Sequence, residues 1–162
     1  MKHYLSILLC FVICLCFVSC DNKVTETTVN TDVSAVSEAP PEIIRNTSVV
    51  SNGKTVDLSV LSSTLAYSQI SNIIDNYEEY LGTTITMSGL FNGIVSYGNK
   101  IYTCSINDAT ACCSLGFEFR LPNDEEPSGC NDGDIITVTG MLSSYTEDGT
   151  VYLELLDAAV TK

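Results

Sequence analysis

Two stretches of the chain share one hydrophobic pattern, and this pattern limits the fold most. Residues 82–91 are GTTITMSGLF and residues 133–142 are GDIITVTGML, so a glycine, two residues, Ile, Thr, an apolar residue, Ser or Thr and a second glycine recur. Side chains of a β-strand alternate between its faces, so two similar strands with outward threonines are predicted. The side chains predicted to face a core are Ile85, Met87, Ile136 and Val138. Gly89 and Gly140 suit the bulge or tight bend that lets a small sheet close.

Turn sequences around these strands predict three more strands. The turns are Tyr97-Gly98-Asn99, Asp108-Ala109 and Glu147-Asp148-Gly149, and the added strands are 100–107, 112–121 and 151–156. A long curved first strand, a meander and a closing hairpin are typical of an OB-fold. We therefore predict a mainly β fold, a small five-stranded OB-like barrel preceded by one amphipathic helix. Residues 121–133 are predicted to be a loop where that fold usually has a helix.

The predicted helix lies between residues 56 and 82, where apolar side chains recur three or four residues apart. Ser62-Ser63 can supply the N-cap and Gly82 can end the helix. The apolar stripe consists of Leu65, Ala66, Ile70, Ile73, Ile74, Tyr77 and Leu81, with Gln69 beside it. The carboxylates predicted to lie on the solvated side, instead of forming a catalytic acid/base pair, are Asp75, Glu78 and Glu79.

Four cysteines lie outside the apolar N-terminal run: Cys104, Cys112, Cys113 and Cys130. If Asp108-Ala109 is a two-residue turn, Cys104 lies opposite Cys113 on the apolar face and Cys112 points outward. Adjacent Cys112 and Cys113 have Cα atoms about 3.8 Å apart, too close for an ordinary disulfide. Two patterns remain: Cys104 with Cys113 and Cys112 with Cys130, or the exchange of partners after a one-residue change of register. Export to oxidising surroundings favours such bridges.

A thiolate metal site and a redox-active vicinal thiol pair are the alternatives to bridges. The cysteine spacing lacks the C-x2-C element of structural zinc sites, and the one histidine, His3, lies in the N-terminal run. No metal or other cofactor is therefore expected. A Ser or Cys nucleophile would lack its usual histidine base, so no enzyme activity is predicted.

Residues 1–19 have the layout of an export signal: Lys2, an apolar stretch from Ile7 to Val18, and a small Ser19 before Cys20. Residues 17–20, FVSC, resemble the lipobox of bacterial lipoprotein signal peptides. The resemblance implies that Cys20 receives a diacylglyceryl group and anchors the chain to the cell membrane on its extracytoplasmic side. Two or more acyl chains, such as palmitate, make such attachment stable. The alternative is an ordinary cleaved signal in which Cys20 has no role.

Composition changes again after the signal. Residues 20–55 are rich in Thr, Ser, Val, Asn and Glu, contain Pro40-Pro41 and show no sustained period, which predicts a flexible tether before a domain at 56–162. Lys2 is the one charged residue among the first nineteen, so the remaining chain carries a formal charge of −14. Nucleic-acid binding depends on cationic contacts, so DNA and RNA are not expected as partners.

Three blocks within residues 56–159 resemble a group of bacterial secreted or lipid-anchored proteins that has no assigned activity. One block, NDATACCSLGFEF, carries an ACC-x-x-G-x-EF motif. The resemblance implies that five residues belong to a family pattern, and it implies no activity. These are Cys112, Cys113, Gly116, Glu118 and Phe119.

Together these features predict a non-enzymatic binding module. Small barrels of this kind often bind ligands through the outer faces of strands two and three and the adjoining loops. The candidate contact residues are Tyr97, Glu118, Arg120 and Tyr145. The expected partners are the membrane, through lipid on Cys20, and a protein, peptide or glycan ligand. The alternative is a thiol-redox or thiolate-metal function centred on the Cys112-Cys113 pair.

Overall fold

A computed structural model of the protein describes residues 43–45, 49–96 and 98–162. The predicted export signal, Cys20 and Tyr97 lie outside the described residues. In chain order the elements are β1 (Ile43–Arg45), β2 (Thr55–Asp57), α1 (Ser63–Asp75), α2 (Tyr77–Tyr80), β3 (Thr84–Ser96), β4 (Asn99–Asn107), β5 (Ser114–Phe119), a 3-10 helix (Pro122–Asp124), β6 (Ile135–Glu147) and β7 (Thr150–Thr161). In the described part of the chain, no helix is long and apolar enough to cross a membrane.

Strands β3 to β7 form a closed barrel. β3 pairs with β4, β4 with β5, β5 with β7, β7 with β6, and β6 returns to β3. Every one of these pairs is antiparallel except β5 with β7, which is parallel. Five strands closed in this order form an OB-like barrel. The predicted fold class is therefore confirmed.

The two stretches with matching patterns are neighbours in the barrel. Met87 of β3 lies opposite Val138 of β6, and both side chains are fully buried. Ile85 and Ile136 are also buried, as the alternation predicts. Gly140 lies at a register shift between β6 and β7, which is the bulge expected at this position.

Helix α1 closes one side of the core, and it begins at the predicted cap. The Ser62 hydroxyl accepts a hydrogen bond from the Leu65 amide, while Ala66, Ile70 and Ile73 are buried. Leu65 itself is 58% exposed, because its position is turned by about 100° from that of Ala66.

The predicted single helix is interrupted at Asn76. This residue has φ −124° and ψ 32°, and its side-chain amide donates to the Asn72 carbonyl at 2.9 Å. The helix resumes as the single turn α2. The following Gly82 has φ +78°, a conformation that suits glycine and ends the helical segment as predicted.

Part of the segment predicted to be a tether packs on the barrel. β1 pairs with residues 145–147 of β6, and β2 pairs with residues 84–86 of β3. Between these strands the Asn52 amide donates to the Gly82 carbonyl at 3.0 Å. Three-residue strands are too short to show a period in the sequence, so the prediction did not include them.

Candidate functional site

The barrel wall opens between β5 and β7. These strands pair only at Glu118 with Glu154 and at Phe119 with Leu155, and toward their N-terminal ends they diverge. The opening is a cleft of about 420 Å³. Its apolar lining includes Ile74, Leu115, Val151, Tyr152 and Leu153, and its polar lining includes Asn92, Thr103, Ser105 and Glu118.

Strand edges border this cleft on two sides. Residues 114–117 of β5 pair with β4, and residues 150–153 of β7 pair with β6, in each case on the side away from the cleft. On the cleft side, neither segment has a strand partner among the residues that the structure describes. Unpaired main-chain groups at a strand edge are available to an added strand.

Gly116 lets β5 approach β4 closely along one wall of the cleft. A Cβ atom at this position would lie 2.0 Å from the carbonyl oxygen of Cys104 and 2.7 Å from the Cα of Ser105. No side chain fits at these distances, so the path of β5 requires glycine. The position of the cleft wall therefore depends on Gly116.

Glu118 is the one predicted contact residue, of the three that the structure describes, that lines the cleft. The Tyr145 hydroxyl donates to its Oε2 at 2.7 Å. Burial raises the pKa of the Glu118 carboxyl, and the hydrogen bond from Tyr145 offsets part of that rise. Burial and the Glu118 carboxylate raise the pKa of Tyr145.

Tyr145 is buried, which corrects its predicted place on a binding surface. Its side chain is 4% exposed because Tyr152 stacks on the ring at 5.3 Å and the Arg45 guanidinium lies 4.6 Å from the ring centre. Arg45 lies a hundred residues before Tyr145 in the sequence, so no local pattern predicts that its guanidinium packs on the Tyr145 ring. Tyr145 therefore orients Glu118 instead of contacting a ligand.

Arg120 is also committed to the fold. Glu154 is 3% exposed, and its carboxylate pairs with Arg45 at 2.7 Å and with Arg120 at 3.3 Å. Arg120 makes a further ion pair with Asp124 at 3.3 Å. These contacts compensate the buried charge of Glu154, as a buried carboxylate requires. The prediction that Arg120 contacts a ligand therefore loses its support.

A second groove, of about 590 Å³, lies beside this ion cluster and is lined in part by Arg45, Lys100 and Arg120. Each of these cations already pairs with a carboxylate, Lys100 with Glu126 and the two arginines with Glu154. A ligand would have to compete with these ion pairs. The cleft between β5 and β7 is therefore the better ligand site.

The connection between β4 and β5 is a six-residue loop instead of the predicted two-residue turn. Asn107 pairs with Ser114, which places Cys104 opposite Phe117. The predicted register, with Cys104 opposite Cys113, is therefore wrong. The cause is Asp108, whose Oδ1 accepts hydrogen bonds from the amides of Cys112 at 3.0 Å and Cys113 at 3.4 Å.

The four cysteines occupy three environments, and all four are free. Cys104 is fully buried, as predicted, and burial raises its pKa to about 12. Cys113 is exposed together with Cys112, although the predicted register places it in the core. Cys130 is half-buried. The disulfide patterns stay predictions, and the pairing of Cys104 with Cys113 has lost the register that favoured it.

No protein family, curated protein sequence or solved structure matches the chain. The resemblance to secreted proteins with an ACC-x-x-G-x-EF motif therefore stays a prediction. Within the motif, Gly116 fixes a strand contact, Phe119 packs in the core, and Glu118 faces the cleft. Cys112 and Cys113 lie together in the exposed loop.

The sequence pattern missed two kinds of site residue. Leu115 and Leu153 lie at alternating strand positions that are typical of core residues. They line a cleft because β5 and β7 diverge next to them. The sequence pattern places Asp108 in a turn but does not show that its carboxylate organises the cysteine loop. The sequence gives a partial indication of this role, because an Asp that precedes a turn often accepts hydrogen bonds from the amides that follow it.

Proposed function

We propose that the chain is a membrane-anchored extracytoplasmic lipoprotein whose OB-like barrel is a non-enzymatic binding module for an extended peptide segment. The proposed anchor is the lipid on Cys20, which the lipobox-like sequence supports. The proposed ligand site is the cleft between β5 and β7. The observation that carries this proposal is the pair of unpaired strand edges on either side of a partly apolar cleft.

An extended peptide suits such a cleft because it can pair with a strand edge through its main chain. Pockets for alternate side chains then give specificity. Leu115, Leu153 and Val151 provide apolar contacts for those side chains. A glycan is less suited, because Tyr152 is the one exposed aromatic side chain in the described lining.

The negative charge of the protein indicates which peptides the cleft prefers. Glu118 contributes a carboxylate to the cleft, and the chain as a whole carries a formal charge of −13. Complementary charge favours association and disfavours partners of the same sign. The preferred peptide therefore has a basic residue near apolar ones, and acidic peptides are disfavoured.

The test is selection of peptides from a random displayed library on the purified protein, followed by titration of the winners. We expect selected peptides to combine apolar and basic residues. Leu115→Asn places an uncharged polar group of similar size in the cleft and should weaken their binding about tenfold, since burying an unpaired amide costs about 1–3 kcal/mol.

Val60→Asn is the matched control, because Val60 is 77% exposed and lies outside the cleft lining. Its binding should equal that of the unmodified protein. Equal binding by both variants, or failure of any peptide to be selected, would contradict the assignment of the cleft.

A further inference from the structure

Three side chains of the β4–β5 loop bring metal-binding atoms together. The carboxylate of Asp108 and the thiols of Cys112 and Cys113 have one ligand atom each within 4.8 Å of one another. The two sulfur atoms are 3.6 Å apart, and Asp108 Oδ2 lies 3.4 Å from Cys112 Sγ. We propose that this loop binds a thiophilic divalent cation with tetrahedral geometry, for which Zn²⁺ is the probe.

The sulfur–sulfur and sulfur–oxygen distances fit tetrahedral coordination better than linear coordination. Two sulfurs bound to zinc at about 2.3 Å with a tetrahedral angle are about 3.8 Å apart, and a sulfur and a carboxylate oxygen are about 3.5 Å apart. The observed separations of 3.6 Å and 3.4 Å are within a few tenths of an ångström of these values. A linear two-sulfur site would need about 4.6 Å, so the loop favours a tetrahedral ion.

The loop holds the three groups in place without a metal. Asp108 Oδ1 accepts from the amides of Cys112 and Cys113, which leaves Oδ2 toward the thiols. Thr110 Oγ1 donates to that Oδ2 at 2.8 Å and lies 3.1 Å from Cys112 Sγ. Thr110 is therefore a positioning residue, and little reorganisation is needed when an ion binds.

A cation at this site would compete with protons for the two thiols. The carboxylate is ready to bind, because the hydrogen bond from Thr110 lowers the pKa of Asp108. The hydrogen bond with Cys112, desolvation and the Asp108 charge raise the pKa of Cys113. Tyr67 of α1 also faces this cluster, because the charges of Cys113, Asp108 and Cys112 add to the rise in its pKa that burial causes. Binding of one ion would form two Zn–S bonds and one Zn–O bond and release the two thiol protons to solvent.

The site differs from structural zinc sites of the C-x2-C kind. It uses a vicinal cysteine pair and a carboxylate, and no histidine or C-x2-C element is needed. Both cysteines are exposed, so a fourth position remains open to water. Three protein ligands with an open position suit an ion that exchanges with solvent.

The test measures zinc binding by the exported, purified full chain after reduction under anaerobic conditions. We expect one zinc equivalent that Cys112→Ser and Cys113→Ser each remove, and that Cys130→Ser retains. Thr110→Ala should weaken zinc binding about tenfold or more, as removal of an outer partner of a metal ligand does. Co²⁺ in place of zinc should show thiolate charge-transfer absorption that the Cys112→Ser variant lacks.

Dependence on pH is a second readout. Because two thiols lose protons, the apparent affinity should rise about a hundredfold per pH unit below the thiol pKa values. The proposal is overturned if the reduced protein binds no zinc. It is also overturned if the double variant Cys112→Ser/Cys113→Ser binds as much zinc as the unmodified protein, or if Asp108→Asn, which keeps the side-chain volume, binds with unchanged affinity.

Discussion

Glu154 is a carboxylate with almost no solvent contact, and its charge is balanced by Arg45 and Arg120. Removing the carboxylate leaves two partly buried guanidinium groups without their main partner. Breaking a buried ion pair costs about 3–5 kcal/mol. Because both arginine side chains are 32% exposed, we expect a loss of stability near the lower end of this range. Glu154→Ala should lower the free energy of unfolding by about 3 kcal/mol in denaturant titrations.

The exposed pair of Lys100 and Glu126 provides the control for this measurement. Surface ion pairs contribute about 0–1 kcal/mol, so Glu126→Ala should change the free energy of unfolding little. Equal effects of the two variants would mean that the Glu154 cluster does not stabilise the barrel.

Glu118 should titrate above the usual range of a glutamate. Burial raises its pKa, so its contribution to stability is largest below the unfolded-state pKa of about 4.3 and is lost as pH rises through the higher folded-state value. Glu118→Gln removes the charge and still accepts the hydrogen bond from Tyr145. The unmodified protein should therefore become less stable relative to Glu118→Gln as pH rises through that interval.

Carboxyl-carbon NMR titration checks the same residue directly. Tyr145→Phe removes a hydrogen bond that lowers the Glu118 pKa, so its titration midpoint should move further upward. A midpoint at or below 4.3 in the unmodified protein would contradict the burial argument.

At the scale of elements, the path of β5 depends on Gly116. Gly116→Ala places a Cβ 2.0 Å from the Cys104 carbonyl oxygen, so the β4–β5 ladder must shift. Overpacking of this kind costs about 1–3 kcal/mol. We expect a lower free energy of unfolding and, because the cleft wall moves, weaker binding of selected peptides.

Gly93→Ala in β3 is the matched control. The nearest atom to its added Cβ would be 3.6 Å away, which is an ordinary contact. This variant should be as stable as the unmodified protein or slightly more stable. If Gly116→Ala behaves in the same way, the close approach of β4 and β5 does not constrain the barrel.

The elements that follow from short-range periodicity could be predicted from the sequence. Alternation identified β3 and β6, and the Ser62 cap together with Ala66, Ile70 and Ile73 identified α1. The register of β4 with β5 could not be predicted, because it depends on side-chain hydrogen bonds of Asp108 that fix the loop length.

The candidate sites depend on contacts between distant parts of the chain. Arg45 and Glu154 are 109 residues apart, and the cleft exists because two strands separated by β6 pair over only two residues. Local patterns carry no information on such contacts. The sequence therefore predicts the barrel and the outer face of its middle strands. It places Tyr145 on the surface although this residue is buried, and it gives no sign of the ion pairs of Arg120.

At the scale of the whole molecule, the proposed anchor has a simple test. Cys20 is the residue that the lipobox-like sequence places at the lipid attachment point. Cys20→Ala should move the protein from the membrane fraction to the soluble fraction, because the proposed acyl chains would have no attachment point. Cys130→Ala is the matched control, and unchanged partitioning of Cys20→Ala would rule out the anchor.

The barrel and the anchor together define the proposed role. A lipid would keep the protein at the membrane surface, and the cleft would bind an extended peptide of a neighbouring protein. The acidic balance of the chain makes basic segments the favoured targets. The cysteine loop lies next to the N-terminal end of β5, so a bound cation would add charge near one end of the cleft.

Amide hydrogen exchange with and without a selected peptide tests the central claim most directly. The account predicts that a saturating peptide slows exchange in residues 114–117 of β5, 150–153 of β7, or both, because a strand added to either edge hydrogen-bonds its free amides. Protection confined to other parts of the barrel, such as the groove beside Arg45 and Lys100, would contradict it.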